Sequence, residues 1–378
     1  MRSFMLLPCI ISVLAAVSWE AEATFRMRRH RPSALSPVLA FSSLLVPRGG
    51  SVAPQEGPMY EDAVDMPESK LLEDGTVFPL TLSPSTVPSS AEEWVAENRE
   101  RIVNGLLPRH GAVVIRGLDL PDAEAFSRVV KVLDFEEQPY IGGNAVRTVV
   151  APGVFTSNES PPSERIPFHH EMAQVPSFPT KVLFYCETPS AKGGSTPIVR
   201  SDEVCDLLRR DYPSLYSRFK SEGVRYVRTA PMDDDSASAL GRGWKGTFGT
   251  EERGGCEAKM REDGFEWEWL EGGDLKTTSK VLSAVRDVDG KEVFFNQVIA
   301  AYSGWNDSRN VASRAVLFGL TKDVLPAAEM DRFVSDVDGL AVSFEWKKGD
   351  VLIIDNRQVM HSRAPFVKPR RVLASLGR

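Results

Sequence analysis

The stretch Phe168-His169-His170-Glu171-Met172 decides how this 378-residue chain is read. One residue separates His169 from Glu171. In an extended segment, alternate side chains point to one face, so this imidazole and this carboxylate can converge on a single point. The chain has five histidines, and two of them lie here. A third ligand is expected at His361, which follows the strand-like run VLIIDNRQVMHSR near the C-terminus. Two imidazoles and one carboxylate on one face of a metal ion leave its other positions open, which is the donor pattern of non-haem Fe(II) oxygenases. By the same alternation His170 faces away from the metal. His30 and His110 read as structural histidines.

Working outward, the surrounding segments are TSNESPP, IPFHHEMAQVPSFPTKVLFYCE, KGGSTPIV, GRGWKGTF, FFNQVIAAYSGW and KKGDVLIIDNRQVMHSRAPFVKPRRVLASL. Together, from about Phe78 to Leu376, they resemble the Fe(II)/2-oxoglutarate-dependent dioxygenases of the taurine dioxygenase type, most closely the clavaminate synthase-like proteins of plants. The resemblance implies a mainly β fold with flanking helices, a double-stranded β-helix or jelly roll. It implies Fe(II) held by His169, Glu171 and His361, with 2-oxoglutarate and O2 as cosubstrates. Many relatives carry Asp where this chain has Glu171; the clavaminate-type branch also has Glu. The implied reaction is oxidation of a small molecule, most simply hydroxylation, with release of succinate and CO2.

A keto-diacid needs a buried cation at its far end, and arginine suits a two-pronged carboxylate contact better than lysine. The family pattern places that role on Arg371, so that Arg370 faces outward on its strand. It also places Thr196, in KGGSTP, against 2-oxoglutarate. Gly-Gly-Ser-Thr here is not a phosphate loop, because the GxxxxGK spacing is missing. Substrate contacts are expected from Asn158, beside Glu159, and from Gln297, beside Asn296. Asp355 and Asn356 precede His361 and serve either substrate or backbone. Two other functions use the same residues: a catalytically silent relative acting as a binding or structural module, and a zinc hydrolase. The full set of cofactor residues disfavours the first. The second leaves Arg371 unexplained and lacks a dedicated general base.

Composition bounds the rest. With 45 basic and 52 acidic residues the net charge is −7, which offers no nucleic-acid surface. Hydrophobic residues at 42% suit a globular core. The four cysteines, Cys9, Cys186, Cys205 and Cys256, include no CxxC pair, so neither a disulfide framework nor a zinc site is expected. Residues 1–23 read as a signal peptide, with an apolar run too short for a stable membrane span. Residues 24–75 read as a basic, transit-like segment and linker. A signal followed by such a segment resembles two-part plastid leaders, which implies entry to the secretory route. Residues 76–378 form one dioxygenase domain.

Within that domain a strand is expected over Thr76–Leu82. A helix capped by Ser90 and Glu93 runs to about Leu107 and is stopped by Gly111. Ala112–Arg116 is a strand. A second helix starts at Pro121, with Phe126, Val129, Val130 and Leu133 as its apolar stripe. The segment 135–167 is a functional loop. Lys181–Glu187 and Val224–Arg228 are strands, and Ser201 caps a helix. Asp233–Ser238 is a solvated loop. Val293–Ala301 is a buried strand. Ala341–Trp346 and Val351–Asp355 form a hairpin turning at Lys347–Asp350, and Arg370–Leu376 is the last strand.

Overall fold

A computed structural model describes residues 60–86 and 88–378. The leader segments expected over residues 1–23 and from 24 to 59 lie outside these described residues. Residues 60–75, read as the end of a linker, pack against the domain. Lys70–Leu71 pairs antiparallel with Val77–Phe78, and Lys70 donates to Glu203 at 2.6 Å.

The main sheet has seven strands. In chain order these are β1 (Leu80–Leu82), β2 (Ala112–Ile115), β3 (Val149–Ala151), β4 (Val154–Thr156), β6 (Lys181–Thr188), β12 (Val351–Asp355) and β14 (Arg371–Gly377). Their order across the sheet is β1-β2-β12-β6-β14-β4-β3. A smaller sheet runs β7-β13-β5, from β5 (Ile166–His169), β7 (Ile198–Arg200) and β13 (Val359–Arg363). A third carries β8 (Val224–Ala230), β9 (Glu266–Trp269), β10 (Leu275–Thr278) and β11 (Val316–Phe318) in the order β9-β10-β8-β11.

Alternation along the central strands sorts their side chains between two cores. Leu183, Tyr185, Val351, Ile353 and Leu373 pack with Val95, Ile102, Phe126 and Val129 of the N-terminal helices. Val182, Phe184, Leu352, Ile354, Val372 and Ala374 pack instead with Ile198 and Val359 of the smaller sheet. Both faces of these strands are therefore buried, which explains their nearly unbroken apolar sequences.

The first helix, α1 (Ala91–Glu100), is capped by the Ser90 side chain, which accepts from the Glu93 N–H. The helical run continues through a π-helical stretch to His110, three residues past the expected end. Gly111 stops it at φ 73°, where a Cβ would stand 2.8 Å from a Val359 methyl carbon. The second helix, α2 (Ala123–Leu133), has Asp122 as its cap and leaves Pro121 outside it.

Three expectations fail on local grounds. Ser201 opens α3 (Ser201–Asp211) without capping it, because its hydroxyl meets His170 Nε2 at 2.8 Å. Val293–Ala301 is not one strand. A strand ends at Val293, and α4 (Val298–Gly304) follows after Asn296 Oδ1 accepts the Val298 N–H at 2.8 Å. Every residue from Val293 to Ala301 is buried, so the apolar run held no period to separate helix from strand. The Lys347–Asp350 turn forms, but no hairpin does. β12 pairs with β2 and β6, while Val342 bridges to Ile198 of the smaller sheet.

Candidate metal centre

β5 and β13 are neighbours, with His361 directly opposite His169 in the ladder. That register brings the two imidazoles together, ring centroids 4.3 Å apart and planes tilted by 52°. The chain leaves β5 after His169, and Glu171 lies in the turn that follows. Asn356 fixes this turn: its Oδ1 accepts the Glu171 N–H at 2.8 Å, and its Nδ2 donates to the Glu171 carbonyl at 3.0 Å and to the Pro179 carbonyl at 2.7 Å. One ligand atom from each of His169, Glu171 and His361 lies within 4.8 Å of the others.

The donor set fits a divalent cation. His169 Nδ1 is 2.9 Å from the Pro167 carbonyl. A proton on Nδ1 leaves Nε2 with a free lone pair, the usual way a backbone carbonyl orients a ligand histidine. His361 Nε2 is 3.7 Å from Glu171 Oε2. Burial holds His361 well below the ordinary histidine range, and His169 and Arg147 add to it. Burial likewise lowers His169, against the pull of Glu171. Imidazoles with free lone pairs beside a carboxylate make a donor set that a divalent cation satisfies.

The flanking residues have distinct partners. His170 is turned away, as alternation predicts, held between the Asn356 carbonyl and Ser201 Oγ. Burial pushes it down to about 3, so it stays neutral. Arg147 was not foreseen. It is buried and donates from Nη2 to Glu171 Oε2 at 2.8 Å. Its guanidinium carbon lies 4.2 Å from the Tyr140 ring centroid and 5.0 Å from that of Phe155. Nothing in GGNAVRTVV marks it, because its role depends on a loop folding back over the site.

A small cavity of about 40 Å³ runs from the three ligands past Phe184 to Thr196, Arg363 and Arg370. Here the arginine expectation is reversed. Arg371 is exposed and pairs with Glu187. Arg370 lines the cavity, donating from Nε to the Gly194 carbonyl at 2.7 Å and from Nη2 toward Thr196 Oγ1 at 3.5 Å. Val372, Ala374 and Leu376 of β14 face the inner core, and Arg370 shares their parity. Arg371 shares that of Leu373 and faces out. Burial, with Arg363 nearby, lowers Arg370 to about 10, still a cation at neutral pH. Thr196 is buried and also accepts from Trp346 Nε1 at 3.1 Å. Arg363 donates to the carbonyls of Ser160, Pro161 and Glu164, pinning the loop over the site.

On the other side a chamber of about 100 Å³ touches His169 and Glu171 and is lined by Asn158, Gln297, Leu240 and Trp305. Asn158 and Gln297 thus reach the site, each partly engaged. Asn158 Oδ1 accepts the Ser160 N–H at 2.6 Å, and Gln297 Nε2 donates to the His170 carbonyl at 3.2 Å and to Gln174 Oε1 at 2.5 Å. Glu159 does not line the site and accepts from Thr148 and Thr156. Asn296 is structural, donating to the Ala284 carbonyl. Asp355 pairs with Arg357.

Two imidazoles and a carboxylate with open space around them define a mononuclear, non-haem metal centre of the oxygenase kind. The family described as "Taurine catabolism dioxygenase TauD, TfdA family" matches residues 77–376. A clavaminate synthase-like protein of Arabidopsis thaliana is 42% identical over 308 residues, 79% of this chain and 93% of the relative. The dapdiamide synthesis protein DdaC of Enterobacter agglomerans is 30% identical over 306 residues, 77% of this chain and 88% of the relative. Among solved structures, PvcB, an Fe, alpha-ketoglutarate dependent oxygenase from an isonitrile synthetic pathway, aligns with a TM-score of 0.44 at 14% identity, over 84% of this chain and 95% of that one. The chain belongs to the TauD, TfdA family and is a non-haem iron, 2-oxoglutarate-dependent dioxygenase.

Proposed function

We propose that the protein oxidises a small molecule, most simply by hydroxylation, at an Fe(II) held by His169, Glu171 and His361. The convergence of those three donors within 4.8 Å carries this reading. Iron bound there with 2-oxoglutarate supplies the activation of O2 and the oxidising power, with release of succinate and CO2. The protein positions the reactants and excludes side reactions. The paired sheets suit the double-stranded β-helix of this reading.

The roles of the side chains follow from their places. Arg370 receives the distal carboxylate of 2-oxoglutarate, and the Thr196 hydroxyl stands beside it. Phe184, its ring 5.1 Å from that of His361, forms an apolar wall that keeps water from the cosubstrate. Arg147 balances the charge of Glu171 and orients its carboxylate. Asn158 and Gln297 offer polar atoms to the substrate on the opposite side.

The test begins with anaerobic protein, Fe(II) and 2-oxoglutarate. The chelate's weak visible charge-transfer band is expected to appear, and His361→Ala is expected to abolish it. Succinate formation with O2 and candidate substrates then reports turnover. A wild-type protein that gives no band overturns the reading.

A further inference from the structure

The chamber beside Glu171 holds about 100 Å³, room for only a few atoms. Asn144, Gln174 and Trp305 line both this chamber and an adjoining cleft of about 400 Å³, within the usual range of small-molecule sites. The exposed residues of the cleft include Glu136, Glu262 and Arg378. Its buried lining includes Tyr226, Ala230, Thr247, Trp305 and Arg228.

Arg228 is the unusual member. It is 6% exposed, yet it has no carboxylate partner among the described residues. Its Nη atoms donate to neutral groups: the Leu240 carbonyl at 2.8 Å, the Arg242 carbonyl and Thr247 Oγ1 at 3.3 Å. Its Nε is buried with no partner. Burial disfavours its charge most; Tyr140 and Asp307 act favourably on it, and Arg242 and Arg309 unfavourably. Arg309 is already committed to Asp235 and Asp307. A buried cation without a directly paired carboxylate is costly, and an anion arriving in the cleft relieves that cost.

We propose that the cleft is the distal compartment of the substrate site, and that Arg228 there binds a carboxylate at the far end of an elongated substrate. This rests on the chamber beside Glu171 being where the substrate is oxidised. The substrate then runs past the shared residues Gln174 and Trp305, with its reacting carbon in the chamber and its acid in the cleft. Apolar contacts come from Tyr226 and Trp305, whose rings stand 5.7 Å apart.

The probes are 4-iodobenzoate and its uncharged partner 4-iodobenzamide. Each is titrated calorimetrically into protein held anaerobically with Fe(II) and 2-oxoglutarate, so that the Arg370 end is filled. The acid is expected to bind at least about tenfold more tightly than the amide, as a charge-assisted pair requires. Arg228→Met is expected to abolish that preference, and Arg228→Lys to keep part of it. Anomalous scattering from iodine in crystals is expected to place the acid in the cleft with its carboxylate toward Arg228. Equal affinity for acid and amide, no binding of the acid, or iodine outside the cleft overturns the proposal. The wild-type comparison decides even if Arg228→Met does not fold, which circular dichroism reports. Failure of the charge-transfer band in the same sample counts against the metal-centre reading instead. The crystal position of iodobenzoate then still tests the cleft.

Discussion

Arg370 and Arg371 are adjacent residues with opposite surroundings. Arg370 loses its aqueous solvation inside the small cavity, whereas Arg371 keeps much of its own at the sheet end. Arg370→Met should therefore weaken 2-oxoglutarate binding by about 30-fold or more, the loss from removing one half of a buried charged pair. Arg371→Met should change it by less than about fivefold, since an exposed pair contributes at most about 1 kcal/mol. Titrating the charge-transfer band with 2-oxoglutarate measures both; a larger effect at Arg371 would restore the sequence-based expectation. His169 and His361 were legible because one strand register sets them opposite each other, whereas Glu171, expected on an extended segment, reaches the site from the turn after β5. The arginine was not, because VLASL is apolar on both faces and gives no sign of which face is inner. Arg147 lay beyond sequence reasoning altogether, since its partner Glu171 is reached only through a folded loop. Removing it leaves a buried carboxylate unpaired. Arg147→Met should cost the metal-free protein about 3–5 kcal/mol of stability in urea unfolding, as broken buried pairs do, while a cost near zero would show that Glu171 needs no partner.

At the scale of elements, the sequence was readable wherever one face of a helix met solvent. The α1 cap, the α2 stripe and the Gly111 stop all follow from local chemistry. It failed where a segment is buried on every side, as in Val293–Ala301, or where pairing is between distant strands, as for β12. The helix end at Gly111 carries its own test. His110 Nδ1 is 2.7 Å from the Val77 carbonyl, while its buried Nε2 has no partner. Burial lowers His110 below the ordinary histidine range, against that hydrogen bond. The folded state therefore resists a proton that the unfolded chain accepts. The stability this contributes is complete above the unfolded value of about 6.5 and is lost as pH falls below it, by at most about 1.4 kcal/mol per pH unit. His110→Gln should flatten the loss of stability between pH 6.5 and 5, measured by urea unfolding at each pH. An unchanged slope would mean that His110 takes up its proton in the folded protein.

At the scale of the whole molecule, the metal site joins parts of the chain far apart in sequence. His169 and Glu171 precede His361 by 192 and 190 residues, and Asn356 ties the Glu171 turn to the connection between β12 and β13. His361 Nε2 and Glu171 Oε2 lie 3.7 Å apart. A divalent ion satisfies them in the folded state only, so its binding free energy adds to stability. The three described cysteines, Cys186, Cys205 and Cys256, are buried and none belongs to this ligand group. Co(II), a redox-stable stand-in for Fe(II), should therefore raise the thermal midpoint by several degrees at a hundredfold excess over its Kd, corresponding to about 2.7 kcal/mol. Adding 2-oxoglutarate should raise it further only when metal is present. A chelator should reverse both shifts, and His361→Ala should show neither. A wild-type midpoint unmoved by Co(II), or a 2-oxoglutarate shift that survives the chelator, would separate the cosubstrate cavity from the three donors and leave their convergence without a metal to explain it.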